Sequence, residues 1–360
     1  MTAPVLRPGI IGITPYIGGE SSAPGFTQLI RLASNEGAFG PSPRAVAAYQ
    51  AIAPDIHRYP DGGSRKLVQA LACRHGLDPM QIVCGNGSDE LLHLLALAYS
   101  GPGDEVMHSA HGFLVYPLAA RSVGATPVSV PERALTADVD AMLAAVTPRT
   151  RIVYLANPNN PTGSYLPLSE LRRLRSGLPG SVLLVIDAAY AEYATSANYD
   201  AGAALVLESN NVVMTRTFSK AYALGGLRLG WALCPLAIAG ALHRVRGPFN
   251  INCAAQAAGV AALADAEFVA AAVVHNGQCR EWTVKRLRKL GLTVYPSEGN
   301  FVLVSFDGWG DAELVRLFLK TRGVLVRQMG VYGLPRCLRI TIGQNDEMVA
   351  AVDAIAAYSR

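Results

Sequence analysis

Charged residues are scarce in this chain: only 16% of its 360 residues are Asp, Glu, Lys or Arg, and the formal net charge is +4. No block rich in Lys and Arg occurs, which argues against nucleic acid as a partner and favours small anionic ligands. The six cysteines are scattered, with no CxxC pair and no histidine at ligand spacing. We therefore expect reduced thiols in a cytoplasmic protein and no metal site.

Membrane-type segments are lacking as well. The N-terminal stretch MTAPVLRPGIIGITPYIGG has no basic region followed by a long apolar core, so no signal peptide is expected. The most apolar long run, Ala254 to Val274, is rich in alanine and carries Asp265 and Glu267. This composition predicts a buried helix and no contact with a membrane.

Short apolar runs alternate with segments of helical period over the first two thirds of the chain. The predicted strands are IVCG, EVMHS, TPVSV, RIVYLA, VLLVID, NVVMTRT and WALC, and the helical segments between them include DELLHLLALAY and LSELRRLRSG. Such alternation is typical of an α/β fold whose mostly parallel central sheet is sandwiched by helices.

Three divisions of the chain are predicted. Residues 1–30 are rich in Gly, Pro and Ser and form an N-terminal arm, and residues 31–247 form a large α/β domain. The rhythm changes near Pro248, where a long helical region from Cys253 to Leu290 precedes three short strands and a final helix. Residues 248–360 therefore form a smaller α+β domain.

Polar clusters fall at the ends of predicted strands, where open α/β sheets bind ligands. GNGSDE, residues 85–90, suits either a plain capped turn or an anion site at a helix N-terminus. NPNNPTG, residues 157–163, is either a turn or a loop that points the Asn160 amide into a pocket. Asp187 in DAAY is either an N-cap or a buried anion that needs a cationic partner.

The stretch RTFSKAYALGGLRLGW places Lys220 among small apolar residues, with Thr217, Ser219 and Arg228 nearby. Lys220 alone could be a surface helix residue. Arg228 suits a phosphate because its planar guanidinium binds two oxygens. A partly buried lysine near an arginine should have a lowered pKa, which suits imine formation with a carbonyl compound.

Together these motifs resemble those of the pyridoxal-phosphate aminotransferases of fold type I, and within them those of the histidinol-phosphate aminotransferases. The resemblance runs over nearly the whole chain, through RLASNEGAFGPSP, RYPDGGSRKL, GNGSDELL, HGFLVY, NPNNPTG, DAAYAEY, TFSKAYALGGLRLGW, GPFNIN, EGNFVLV, GVLVRQ and LRITIG. NEGAFG departs from the more usual NENPLG, so the loop near the substrate could have a different shape.

The resemblance implies a cofactor site for pyridoxal 5′-phosphate. Lys220 would carry the cofactor and shuttle a proton, Asp187 would pair with the pyridine nitrogen, and Tyr190 and Asn160 would contact the phenolic oxygen. Phe113 would stack on the ring. The cofactor phosphate would be held by Ser88, Asp89, Thr217, Ser219 and Arg228.

The resemblance also implies a homodimer with shared active sites, because Tyr59 matches a tyrosine that the family lends to the neighbouring subunit's phosphate. Arg339, with Arg327 as a second cation, would bind the anionic group of the substrate. Tyr16 and Asn35 match positions at the mouth of the substrate site. For Arg327 and Arg339 the alternative is a surface strand residue paired with a carboxylate.

The implied activity is amino-group exchange between L-histidinol phosphate and 2-oxoglutarate by a ping-pong mechanism in histidine biosynthesis. An aromatic amino acid aminotransferase and a threonine-phosphate decarboxylase remain alternatives on the same scaffold. A non-catalytic binding protein is disfavoured, because it would have no reason to keep the lysine amine. The breadth of specificity and the residues that contact the imidazole ring stay open.

Overall fold

The computed structural model describes residues 4–358, so the outermost residues of the predicted arm and of the C-terminal domain lie outside the described part of the chain. Its strands, in chain order, are β1 Ile30–Leu32, β2 Ile82–Gly85, β3 Glu105–Ser109, β4 Thr126–Val130, β5 Glu132–Arg133, β6 Thr136–Ala137, β7 Thr150–Ala156, β8 Leu183–Asp187, β9 Val212–Thr217, β10 Gly230–Leu233, β11 Thr293–Val294, β12 Phe301–Ser305, β13 Val324–Gln328 and β14 Cys337–Thr341.

The helices alternate with these strands and close the chain. In order they are α1 Pro8–Ile11, α2 Pro43–Ala51, α3 Arg65–His75, α4 Ser88–Tyr99, α5 Val115–Ser122, α6 Val139–Ala144, α7 Leu168–Gly177, α8 Ala203–Leu207, α9 Leu236–Val245, α10 Cys253–Ala264, α11 Ala266–Lys289, α12 Ala312–Lys320 and α13 Asn345–Tyr358.

The larger sheet has seven strands in the order β2-β10-β9-β8-β7-β3-β4. All pairings are parallel except those of β10, which runs antiparallel to both of its neighbours. Alternate residues of β8 enter different cores: Leu184 and Ile186 pack in one cluster, and Leu183 and Val185 pack in another. Because both faces are buried, every residue of β8 is apolar until Asp187. The predicted α/β fold with a helix-covered, mostly parallel sheet is confirmed.

The smaller sheet has five strands in the order β1-β13-β14-β12-β11. Its first strand comes from the beginning of the chain, and Ile30 lies opposite Val324 in a parallel pairing. Helix α10, in contrast, packs against the larger unit, where Ala255, Ala258 and Ala262 join the same core as Leu184. The division of the chain at residues 30 and 247 stays a prediction. In the structure, strand β1 pairs with the smaller sheet, and helix α10 packs against the larger unit.

The single helix predicted for the apolar run from Ala254 to Val274 is wrong in one respect, because the helix breaks at Asp265. The backbone of this residue is not helical, with φ −99° and ψ 58°, so two separate helices form. They meet at an angle of 78°. Within residues 4–358 no single helix is long and apolar enough to cross a membrane, and only this bent pair would qualify, by length and composition alone.

Candidate active site

Most of the predicted site residues surround one cavity of about 540 Å³. Those that line it are Tyr16, Asn35, Ser88, Asp89, Phe113, Asn160, Asp187, Tyr190, Thr217, Ser219, Lys220, Arg228, Arg327 and Arg339. Tyr59 is the predicted residue that lies elsewhere. The sequence motifs therefore converge on a single site, although they are scattered over more than 300 positions of the chain.

The cavity lies at the carboxyl edge of the larger sheet, which is where open α/β sheets bind ligands. Asp187 ends β8 and Thr217 ends β9, so both side chains reach this edge. Strand β10 runs in the opposite direction, and its first residue, Gly230, lies opposite both Thr217 and Gly85. The antiparallel direction of β10 thus delivers Arg228, two residues before it, to the same edge.

A pocket whose groups suit an anion is formed where the turn before α4 meets Arg228. Ser88 is the first residue of α4, so its backbone N–H and that of Asp89 have no partner within the helix. Arg228 donates to the Gly225 carbonyl at 3.0 Å and to Ser219 Oγ at 3.4 Å. It also pairs with Asp89 Oδ2 at 3.4 Å, a distance that leaves its guanidinium loosely held and free to accept a better anion.

Glycine is required at position 87 in this pocket. Its φ of +83° is a left-handed conformation, and a Cβ atom there would lie 2.4 Å from Arg228 Nη2. Arg228 itself has a φ of 57°, which is rare for a residue with a side chain. Such strain is common at ligand sites, where the surrounding structure maintains it. The close approach of backbone and guanidinium creates a compact cradle for a small anion.

Asp187 is a buried carboxylate, only 5% exposed. Its Oδ2 accepts a hydrogen bond from the Tyr116 hydroxyl at 2.9 Å, and its Oδ1 accepts one from Thr215 Oγ1 at 3.2 Å. In the described part of the chain no cationic side chain pairs with it, and burial raises its pKa to about 6. The next helical turn, Ala191–Tyr193, has Tyr190 and not Asp187 at its N-cap position, so the N-cap alternative is excluded and the carboxylate faces the cavity.

Lys220 faces the same cavity from the segment after β9. Its Nζ donates to the Ser34 carbonyl at 3.1 Å and lies 5.8 Å from the centre of the Tyr190 ring. Burial, and after it the charge of Arg339, lowers its pKa to about 8. An amine with such a pKa is neutral in about a tenth of molecules at pH 7, far more than an ordinary lysine, which makes it a nucleophile or a base.

A hydrogen-bond network fixes Tyr190 and Asn35. The Tyr190 hydroxyl accepts from Asn35 Nδ2 at 2.8 Å, and burial raises the pKa of Tyr190 to about 12. Asn35 is held in turn by Thr341, whose Oγ1 accepts from the Asn35 backbone N–H and donates to Asn35 Oδ1. Thr341, on strand β14 of the smaller sheet, therefore fixes the side chain of Asn35 in the cavity.

Arg339 is the buried cation of the site, with 6% of its surface exposed. It donates to Asn160 Oδ1 and, at 2.8 Å, to the Ala33 carbonyl. Its Nε is buried and is one of the described side-chain donors that have no partner. Arg327 lies nearer the surface and donates to the Ile17 carbonyl. Neither arginine is paired with a carboxylate in the described residues, so both retain charge for an incoming anion.

Tyr16 and Phe113 close the mouth of the cavity. Their rings meet edge to face with centroids 6.4 Å apart, and Phe113 also contacts Tyr116 in the same manner at 6.0 Å. Tyr59, by contrast, is 83% exposed and stacks on Phe249 with ring centroids 4.8 Å apart. It does not reach the cavity of its own chain.

Two residues that hydrogen-bond to Asp187 were missed by the sequence reasoning, although both lie close to recognised motifs. Tyr116 belongs to HGFLVY, three residues after Phe113, and Thr215 lies two residues before Thr217, on the same face of β9. In NPNNPTG, Pro158 and Asn160 line the cavity. Asn157 and Asn159 hold the loop instead, through hydrogen bonds to Leu166 and to Thr162.

Comparison with known proteins agrees with this geometry. Residues 27–355 match the family model described as Aminotransferase class I and II, and the chain belongs to this family. The histidinol-phosphate aminotransferase of Rhodospirillum centenum is 64% identical, with 99% of this chain and 98% of the relative covered. That of Paramagnetospirillum magneticum is 56% identical, with 99% of each covered.

A solved structure points in the same direction. The crystal structure of histidinol-phosphate aminotransferase from Sinorhizobium meliloti, in complex with pyridoxal-5′-phosphate, superimposes with a TM-score of 0.91 at 30% identity. The match covers 100% of this chain and 98% of that one. The resemblance inferred from the motifs is confirmed at the level of fold and family.

The residues present fit pyridoxal phosphate. The cofactor has a basic ring nitrogen, an aldehyde and a phosphate, and the cavity offers a complementary group for each. Asp187 is a buried carboxylate without a cation, Lys220 is an amine of lowered pKa, and the cradle at Gly87 and Arg228 suits a phosphate. The fit rests on unmet charges of this chain, which a bound cofactor would neutralise.

Proposed function

We propose that this chain is a pyridoxal-phosphate-dependent aminotransferase that moves the amino group of L-histidinol phosphate to 2-oxoglutarate. The products are imidazole acetol phosphate and L-glutamate, and the reaction belongs to histidine biosynthesis. The observation that carries the proposal is the single cavity that holds Lys220, Asp187 and the buried cation Arg339. The choice of substrate is supported by relatives of 48–64% identity that bear the name histidinol-phosphate aminotransferase.

When bound, pyridoxal phosphate would supply an aldehyde that takes up and releases the amino group, and a ring that withdraws electrons from the substrate Cα. Asp187 would stabilise positive charge on the ring nitrogen, and Phe113 would cover the ring face. Tyr190 and Asn160 would donate hydrogen bonds to the phenolic oxygen. Thr217, Ser219, Arg228 and the amides of Ser88 and Asp89 would hold the phosphate.

Lys220 would move the proton that the reaction requires. In the first half-reaction its amine would carry a proton from Cα of the amino donor to the cofactor carbon that receives the amino group. In the second it would carry a proton from that carbon to the corresponding carbon of the acceptor. A pKa of about 8 suits this role, because a base is most effective when its pKa lies near the working pH. The fixed position of Lys220 beside Tyr190 keeps the amine on one side of the cavity.

Arg339 and Arg327 would bind the anionic end of each substrate. Histidinol phosphate carries a phosphate ester and 2-oxoglutarate a carboxylate, so both present negative charge at the end remote from the reacting carbon. Arg339 is buried and fixed, whereas Arg327 is half-buried and donates to the Ile17 carbonyl. Arg339 would then be a rigid cation and Arg327 an adaptable one, which suits two substrate anions of different size. Tyr16 and Asn35 would line the space between the two arginines.

The working molecule would be a cytoplasmic homodimer with shared active sites. Tyr59 is exposed although it is aromatic, and its stacking on Phe249 presents a flat apolar surface to a second copy of the chain. In that arrangement Tyr59 reaches the cofactor phosphate of the neighbouring subunit.

A half-reaction tests the assignment. Purified holoenzyme would be mixed, without an amino acceptor, with histidinol phosphate, phenylalanine or threonine phosphate while the absorbance of the bound cofactor is followed. Rapid loss of the visible band with histidinol phosphate alone is expected. If phenylalanine bleaches the band at least as efficiently as histidinol phosphate does, the enzyme is an aromatic aminotransferase. If threonine phosphate releases carbon dioxide, the enzyme is a decarboxylase.

A further inference from the structure

The arm segment from Gly12 to Leu29 has no regular secondary structure, yet part of it covers the active-site cavity. Tyr16, Gly18 and Gly19 line the cavity. The neighbouring side chains are poorly buried, since Tyr16 is 49% exposed and Ile17 is 77% exposed. Hydrophobic packing therefore contributes little to holding this segment in place.

Hydrogen bonds and ion pairs to helix α12 and to strand β13 hold the segment instead. Glu20 uses both of its carboxylate oxygens: Oε2 accepts from Arg316 Nη1 at 2.8 Å, and Oε1 accepts from Lys320 Nζ at 2.9 Å. Both cations belong to helix α12, one turn apart. The second tie is the hydrogen bond from Arg327, on β13, to the Ile17 carbonyl.

The contact of Glu20 with α12 has the features of a network and not of an isolated surface pair. Arg316 is largely buried, with 14% of its side chain exposed, and is also held by both oxygens of Glu313. Lys320 is 27% exposed. A bidentate arginine with a second carboxylate is the arrangement in which ion pairs near a surface contribute measurably.

We infer that Glu20 is a positioning residue, which fixes the arm to helix α12 and thereby keeps Tyr16 at the cavity mouth and Arg327 oriented toward the substrate anion. Glu20 does not line the cavity, so it acts through the arm. Glu20 is only four residues after Tyr16, so release of Glu20 leaves the hydrogen bond at the Ile17 carbonyl and the ring contact of Tyr16 with Phe113 to hold this part of the arm. The role of Arg327 in this inference rests on the proposed function.

The test compares Glu20→Ala with Glu313→Ala in the holoenzyme. The two carboxylates are matched, since both bind Arg316 and their side chains are 39% and 40% exposed, but only Glu20 belongs to the arm. We expect Glu20→Ala to raise KM for histidinol phosphate about five- to tenfold, with kcat within about twofold of the parent. Glu313→Ala should leave KM within about twofold of the parent value.

A second readout does not depend on activity. Chymotrypsin should cleave after Tyr16 at least about threefold faster in Glu20→Ala than in the parent, and Glu313→Ala should be cleaved at the parental rate. Lys320→Ala should add little to Glu20→Ala when the two are combined, because both remove the same tie.

Unchanged KM and unchanged cleavage in Glu20→Ala would overturn the inference, as would equal effects from Glu313→Ala, which would place the cause in α12 itself. If the parent protein does not act on histidinol phosphate, the proposed function fails, and the rate of cleavage still decides whether Glu20 holds the arm.

Discussion

Replacement of Asp187 by Asn should change activity and apoprotein stability in opposite directions. The carboxylate is buried without a cation among the described residues, and its pKa rises from 3.8 to about 6. In the cofactor-free protein the ionised form is therefore disfavoured in the folded state. A rise of about two pKa units corresponds to about 3 kcal/mol of lost stability when the group is fully ionised.

The pH dependence follows from the direction of the shift. Folded Asp187 holds its proton more tightly than unfolded Asp187, so the apoprotein loses stability as the pH rises from about 4 to about 6, and the loss is then constant. Asn has the same shape and no charge. We expect Asp187→Asn to stabilise the apoprotein by up to about 3 kcal/mol near pH 8 and by little near pH 4.

The assay is urea unfolding of the apoprotein at both pH values, with an unchanged slope against urea as the check that the two states are comparable. Asp353→Asn is the control, since Asp353 is exposed on α13 and should change stability by no more than about 0.5 kcal/mol. With cofactor bound, turnover of Asp187→Asn should fall by orders of magnitude. Equal stability of the variant and the parent near pH 8, or an equal gain at both pH values, would refute the reasoning.

Three further predictions concern the same cavity. The rate at which apoprotein takes up pyridoxal phosphate should rise as the pH passes through about 8, because the neutral amine of Lys220 is the reactive form; stopped-flow absorbance measures this, and a flat profile would contradict it. Gly87→Ala should weaken cofactor binding about tenfold, because it strains the backbone at φ +83° and displaces Arg228. In a cofactor titration, kcat should be regained at excess cofactor, whereas an affinity equal to that of the parent would count against the phosphate cradle. Mixing inactive Tyr59→Ala and Lys220→Ala subunits should restore one intact site per hybrid dimer and hence measurable turnover, whereas no recovery in an exchanged mixture would exclude shared sites.

Much of the site was predictable because its residues lie at the ends of strands that the pattern of apolar runs already marks. Strands β7 and β8 each begin one residue away from the predicted start and end where predicted. Asp187 is the first polar residue after the apolar run, both in the predicted strand and in β8. Lys220 and Arg228 were identified from local spacing combined with a family resemblance. These are features encoded within a few residues of one another.

The contacts that were missed depend on residues distant in the chain. Tyr116 can be connected with Asp187 only when the position of α5 against β8 is known, since 71 residues separate them. The break at Asp265 carries neither Gly nor Pro, and its local signal, an Asp at the N-cap position with Glu267 in the first turn of α11, was outweighed by the long apolar run. The pairing of Ile30 with Val324 joins opposite ends of the chain, and short-range periodicity contains no information about such a partner.

That pairing has a consequence for the order in which the molecule can be assembled during synthesis. The seven-stranded sheet uses residues 82–233, so all of its strands are available while the last third of the chain is still being made. Strand β1 must wait for a partner roughly 300 residues downstream, and the loop that it closes is the longest in the molecule's sheets. The arm and the part of the substrate site attached to it therefore take their final position only after all strands of the larger sheet have been synthesised.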